Sequence, residues 1–194
     1  MRKVFLASLL LLPGFAFAHH FMGGETPRTF MQGLLSGLGH PLIGVDHAAF
    51  IIGAGFALGS MRDGLWGLGA LIAGTLLGAA LHLSGIAVPA SETLVAVSVM
   101  LVAAVVVLQR PVPLTELAIG LAAAGALHGY AYAESIFGAE RAVLAAYLAG
   151  FTIIQACVAG AALLLHRKLR ASALRPVLGA AIGAVGALFL VASF

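Results

Sequence analysis

From residue 30 onward the chain is a succession of apolar stretches about 20 residues long, parted by short segments of Pro, Gly and charge. That length is what a helix needs to cross the hydrocarbon of a bilayer, where only helices and closed barrels satisfy their own backbone hydrogen bonds. Composition agrees: 9% of the residues are charged and 62% hydrophobic, with a mean hydropathy of +1.11. A soluble domain uses roughly 25% charged residues to coat its surface, so this chain cannot face water all round. The expected fold is an all-α membrane protein of about six transmembrane helices, at roughly 30–59, 64–85, 92–109, 114–133, 142–165 and 176–192. Arg62-Asp63-Gly64, Pro89, Pro111-x-Pro113 and Pro176 punctuate them. The 25 glycines suit helices that approach closely, and Gly74-x-x-x-Gly78 and Gly179-x-x-x-Gly183 have the small-residue spacing for it. Such faces serve contacts within or between chains alike, which leaves a homo-oligomer open.

The first 18 residues have the pattern of a cleavable signal peptide: Arg2-Lys3, an apolar core from Val4 to Leu12, and Ala16-Phe17-Ala18. Cleavage there leaves 19–29 as a periplasmic segment beginning His19-His20, and 30–194 as a six-helix domain. The inner loops then hold Arg62, Arg110, Arg167, Lys168, Arg170 and Arg175, and the outer segments only Arg28 and Arg141. Six against two satisfies the positive-inside rule, and an uncleaved anchor gives the same loop assignment. The expected location is the bacterial inner membrane, with the mature amino terminus periplasmic. The isoelectric point near 9.5 does not mean nucleic acid, because four of the ten cations crowd into residues 167–175. The single Cys157 excludes an intrachain disulfide and reads as a packing residue within its apolar run.

The first long stretch carries the chemistry. Gly37-Leu38-Gly39-His40-Pro41 is expected to break a helix, which resumes near Gly44-Val45-Asp46-His47. Broken helices at membrane depth are tolerated where they are buried in protein or line a cavity, and they recur at transporter substrate sites. Asp46 is the most telling residue, since a carboxylate in hydrocarbon must be paired, protonated or bound to a cation. His40 and His47 flank it, seven residues apart. Imidazole and carboxylate donors suit first-row divalent ions, although an Asp–His hydrogen bond holding the kink is the structural alternative.

A second constellation is His128 followed by Glu134, six residues apart like His40 and Asp46. That repeated offset hints at inverted repeats relating spans one to three and four to six. His82 lies near the outer end of its span, as a ligand or a packing histidine. Four histidines and two acids thus gather in the outer half of the bundle, opening to the periplasm. His19 and His20 are candidates for first capture of a metal ion. Tyr130 and Tyr132 read as interface-belt residues. Glu92, Glu116 and Glu140 fall near span ends, and His166 adjoins the basic loop, where exposure is expected.

At these residues the sequence resembles the HupE/UreJ family of nickel and cobalt permeases. The family motif His-x5-Asp-His stands here as His40, Asp46 and His47, and a His-Gly-x-Ala stretch followed by Glu as His128-Gly129-Tyr130-Ala131 and Glu134. Some members carry a further His in the second stretch, where this chain has Tyr130 and Tyr132. The resemblance implies secondary uptake of Ni²⁺ or Co²⁺, with the ion as substrate, no permanently bound cofactor and no enzymatic activity. The sequence has no Gly-x4-Gly-Lys-[Ser/Thr] motif for nucleotide. Two other classes compete: an intramembrane zinc hydrolase ligated by His40, His47 and His128 or His82 with Glu134 as base, and a haem protein with facing axial histidines.

Overall fold

The computed structural model describes residues 25–108, 112–169 and 172–194. Its elements are α1 (Phe30–Ile43), α2 (Val45–Gly59), α3 (Gly64–Leu83), α4 (Ser91–Leu108), α5 (Leu114–Glu134), α6 (Arg141–Leu169), a short 3₁₀ turn (Ser172–Leu174) and α7 (Arg175–Ala192). No strand occurs among the described residues. The expected signal peptide lies outside them, as do Arg110 and Arg170.

Helix α1 starts at a capping box. The Thr29 hydroxyl accepts from the Gln32 amide at 3.2 Å, and the Gln32 side chain accepts in return from the Thr29 amide. The break comes later than the sequence suggests. Pro41 deprives the helix of one hydrogen bond, to the Gly37 carbonyl, but its fixed φ suits a helix and α1 runs on to Ile43. Gly44 then turns extended at φ −68°, ψ 102°, and α2 departs at 78° to α1. The bend sets His40 in the last turn of one helix and Asp46 and His47 in the first turn of the next.

Helices α3, α4, α6 and α7 are each long and apolar enough to cross a membrane, and the bent pair α1–α2 makes a fifth candidate. Helix α5, with 21 residues, corresponds to the remaining expected stretch. Its Glu116, His128 and Glu134 dilute its apolarity, and its support is the neighbour it packs along.

That neighbour is α3. A Cβ on Gly74 or Gly78 would strike the Ala122 or Ala126 carbonyl, and one on Gly129 the Thr75 carbonyl. The two helices therefore run parallel and backbone to backbone. Helix α1 meets α6 in the same manner through Gly33 and Gly37 against Val143 and Tyr147, and α2 continues along α6 through Gly55 against Ala159. Helices α4 and α7 pair antiparallel, with Gly179 and Gly186 at the close contacts. Gly183 has only ordinary clearance from Ala103, so the tight spacing on α7 is seven residues rather than four. The α1–α2/α6 and α3/α5 pairs exchange places when spans one to three are swapped with four to six, as an inverted repeat requires.

The buried apolar side chains form two clusters. One joins Phe50, Leu58, Leu71, Val102, Leu121, Ala159 and Leu163, and the other Ala79, Tyr132, Ile136, Val143, Tyr147 and Phe151. Between them lies a polar seam, because successive turns on one helix face alternate in cluster. On α3 the order is Leu71, Thr75, Ala79, and on α6 Phe151, Gln155, Ala159. Beyond the first cluster Arg167 donates to the Met61 and Arg62 carbonyls and Arg175 to the Val105 and Val106 carbonyls, gathering cations at that end. Two expectations fail here. His166 is buried edge-on against Phe56, because Gly59 leaves room for its ring. Cys157 is exposed on the outer face of α6 and packs no core.

Replacing Gly78 with Val should destabilise the protein by about 1–3 kcal/mol through overpacking. Gly120→Ala on α5, where a Cβ meets nothing within 4 Å, should be neutral. Thermal unfolding of the two variants in one detergent checks both.

Candidate metal site in the bundle interior

The polar seam is richest where α2, α4 and α5 meet. His40, Asp46, His47 and His128 are all buried there, the last completely. The His47 and His128 Nδ1 atoms are 2.8 Å apart, and the Asp46 Oδ2 atom is 3.8 Å from the same His47 nitrogen. The His40 and His47 rings stack at 5.8 Å between centroids. Phe50 lies flat on His128 at 4.0 Å, which fixes the plane of that ring.

Hydrogen-bond partners assign the protons. Ser98 gives its single hydroxyl hydrogen to the Val95 carbonyl at 2.7 Å, so at 2.9 Å it accepts from His128 Nε2–H. His128 Nδ1 is then the acceptor, and His47 Nδ1–H donates to it. An ion ligated by both nitrogens has to take the place of that shared proton. It also has to part the rings, since two nitrogens bound tetrahedrally at zinc-like distances stand about 3.3 Å apart. Accordingly, among the described residues no three His, Cys, Asp or Glu side chains are already spaced around a common ion position. Two buried oxygens here have no hydrogen-bond partner, Asp46 Oδ1 and the Tyr132 hydroxyl. A second small network orients His40: the Ser135 hydroxyl lies 3.2 Å from its Nδ1 and 3.0 Å from the Tyr147 hydroxyl, which donates to the Tyr132 carbonyl at 2.7 Å.

A sequence profile described as HupE / UreJ protein matches residues 7–189. The chain belongs to the HupE/UreJ family. A curated relative, Protein HupE of Rhizobium leguminosarum bv. viciae, is 28% identical over 186 residues, covering 94% of this chain and 93% of that protein. No solved structure matches.

Both family motifs contribute to the site, but unevenly. His40, Asp46, His47 and His128 come together, whereas Glu134, the last residue of α5, is exposed outside the cluster. Of the two tyrosines in the second motif, Tyr132 turns inward. Its ring is fully buried, 4.7 Å from His47 and 5.3 Å from His40, which corrects its reading as an interface residue. Tyr130 faces the other way, accepting from the Val88 amide at 3.2 Å. His82 packs edge-on against Tyr130 and Phe137 near the end of α3, apart from the four. His19 and His20 lie outside the described residues. Ser98, Ser135 and Tyr147 were not foreseen, because a lone hydroxyl in an apolar helix usually bonds its own backbone and carries no signal.

Ser98→Ala leaves the buried His128 Nε2–H without its acceptor and should cost about 1–3 kcal/mol. Ser98→Thr, which keeps the hydroxyl, should cost less, and thermal unfolding of the two variants separates the outcomes.

Proposed function

We propose that the protein takes up Ni²⁺, or the chemically close Co²⁺, across the bacterial inner membrane by secondary transport through the His40–Asp46–His47–His128 cluster. The observation that carries this reading is the burial of three imidazoles and a carboxylate together in an otherwise apolar bundle. Neutral imidazole nitrogen and carboxylate oxygen suit these ions, and a carboxylate at this depth needs a positive partner. The family's association with nickel and cobalt transport agrees.

In this reading α5 also crosses the membrane, as the fourth of six spans, and the mature amino terminus is periplasmic. Arg62, Arg167, Lys168 and Arg175 mark the cytoplasmic end, and Glu25, Glu92, Glu134 and Glu140 the opposite one. Glu25 and Glu140 line a surface pocket with Arg28 at that outer end. Cations are drawn there by charge, with Glu134 and His82 along the approach and His19 and His20 proposed for first capture. The ion then sheds water and takes the position of the proton between His47 and His128, that proton moving to His47 Nε2 so that both imidazoles stay neutral, while Asp46 Oδ1 and the Tyr132 hydroxyl supply oxygen. His40 completes or gates the set. No observation favours the hydrolase: its candidate base, Glu134, is exposed outside the cluster. Nor does a haem fit between nitrogens already in direct hydrogen bond.

Radioactive nickel uptake into cells lacking their own nickel permeases tests the reading. Wild type should accumulate nickel, while Asp46→Asn and His47→Ala, at equal membrane abundance, should lose about 90% or more of it. Failure of a well-expressed wild type to accumulate nickel or cobalt would sink the proposal. Ligand histidines must be neutral, so acid opposes binding. Uptake should therefore fall as the external medium is acidified, which the same assay run at a series of external pH values checks.

A further inference from the structure

Among the described residues Gln155 is the largest fully buried polar side chain outside the cluster and the network that orients His40. It is fully buried on α6, a neutral amide in the middle of an apolar helix. Its Nε2 donates to the Phe151 carbonyl at 3.2 Å and faces the Thr75 hydroxyl at 3.5 Å. Because a carbonyl can only accept, this contact fixes which end of the amide is which. The Oε1 atom is left buried without a hydrogen-bond partner. Thr75 is fully buried too, and it spends its own hydrogen on the Ile72 carbonyl at 2.8 Å, so its oxygen keeps lone pairs toward Gln155. An unsatisfied amide oxygen in an apolar core is costly, and one borne by a side chain that reaches a buried hydroxyl on another helix calls for a reason beyond packing.

Their depth supplies it. Gly55 of α2 lies against Ala159 of α6, and both helices run inward together, so Gln155 stands level with Ile51, one turn inward of His47. Thr75 contacts the backbone at Gly129, next to His128. Phe151, whose carbonyl holds the amide, packs on Tyr132 and Tyr147 in the other direction. The pair therefore adjoins the imidazole–carboxylate cluster on its cytoplasmic side.

Building on the transport function proposed above, we infer that the Gln155 amide oxygen and the Thr75 hydroxyl form a second, weaker oxygen-donor station that receives the divalent ion as it leaves the cluster. A site with a carboxylate and several imidazoles holds a first-row ion firmly, and passage requires that binding be loose enough, or shared among enough sites, to let it go. Neutral oxygens one turn further in provide that step without a second buried charge. Beyond them the path meets the apolar side chains of Leu58 and Leu163.

The test pairs uptake of radioactive Ni²⁺ in cells with equilibrium dialysis of Ni²⁺ against the purified full-length protein in detergent. Gln155→Met keeps the side-chain length and removes the oxygen. It should bind Ni²⁺ within about twofold of wild type yet transport about tenfold more slowly per molecule, the loss expected when a charged group forfeits one polar partner. Thr75→Val should behave alike, and carries the same readout if Gln155→Met fails to accumulate. A gain of function distinguishes the station from a mere pin between α3 and α6. Asp46→Asn/Gln155→Glu should bind Ni²⁺ about tenfold more tightly than Asp46→Asn alone, because it adds a carboxylate within the ion's reach. Wild-type uptake that Gln155→Met and Thr75→Val leave unchanged, or no gain in the double variant, overturns the inner station and leaves the cluster's role intact. Absence of uptake by wild type overturns both.

Discussion

Asp46 is a carboxylate 4% exposed in a bundle whose other helix faces are apolar. No other described side chain is as expensive to bury, and the neighbouring architecture can be read as its accommodation. The bend at Gly44 sets Asp46 at the start of a helix, where the backbone amides of the first turn favour negative charge. Histidines from both limbs of the bend and from α5 surround it, and Ser98 and Phe50 hold the α5 histidine in the orientation that faces it. The bend in turn is possible because the helix beside it, α6, is continuous over 29 residues and carries both limbs.

The apolar clusters on either side of the seam give the site its depth and its isolation. A hydrated ion cannot enter Phe50, Leu71 and Leu163 on one side, and Tyr132, Tyr147 and Phe151 close the other with rings, of which the two tyrosines also carry hydroxyls. The same aromatic residues thus pack the core and furnish oxygen, which is why Tyr132 can be fully buried with its hydroxyl at the cluster.

Much of the site was legible in the sequence because ionisable groups in apolar stretches have few innocent explanations. His40, Asp46, His47 and His128 stood out on that ground alone. Glu134 had the same motif support but closes the last turn of α5, and one turn of helix separates the interior from the exposed end. His166 was misjudged because neighbouring charges hid the pocket that Gly59 opens for it. The helix break was foreseen and its position was not: Pro41 tolerates helical geometry, and the departure fell to Gly44. Helix pairing was illegible for a different reason. Glycines occur on almost every helix, and only the structure distinguishes Gly186, pressed on Met100, from Gly183, which is not. Ser98, Thr75 and Gln155 sat in plain view as isolated polar residues, and of these the amide was the one whose size and burial gave it away.

The backbone-to-backbone contacts have a mechanical side. Two helices touching carbonyl to Cα cannot change their spacing or slide without collision, so α3 with α5, α6 with α1 and α2, and α4 with α7 behave as three stiff struts. The hydrogen bonds between side chains of the seam run from one strut to another: His47 to His128, His128 to Ser98, Gln155 to Thr75. They are latches between rigid bodies. A cation held by both His47 and His128 would exchange one latch for a longer one, and the bodies it would spread are the strut bearing the first motif and the strut bearing the second.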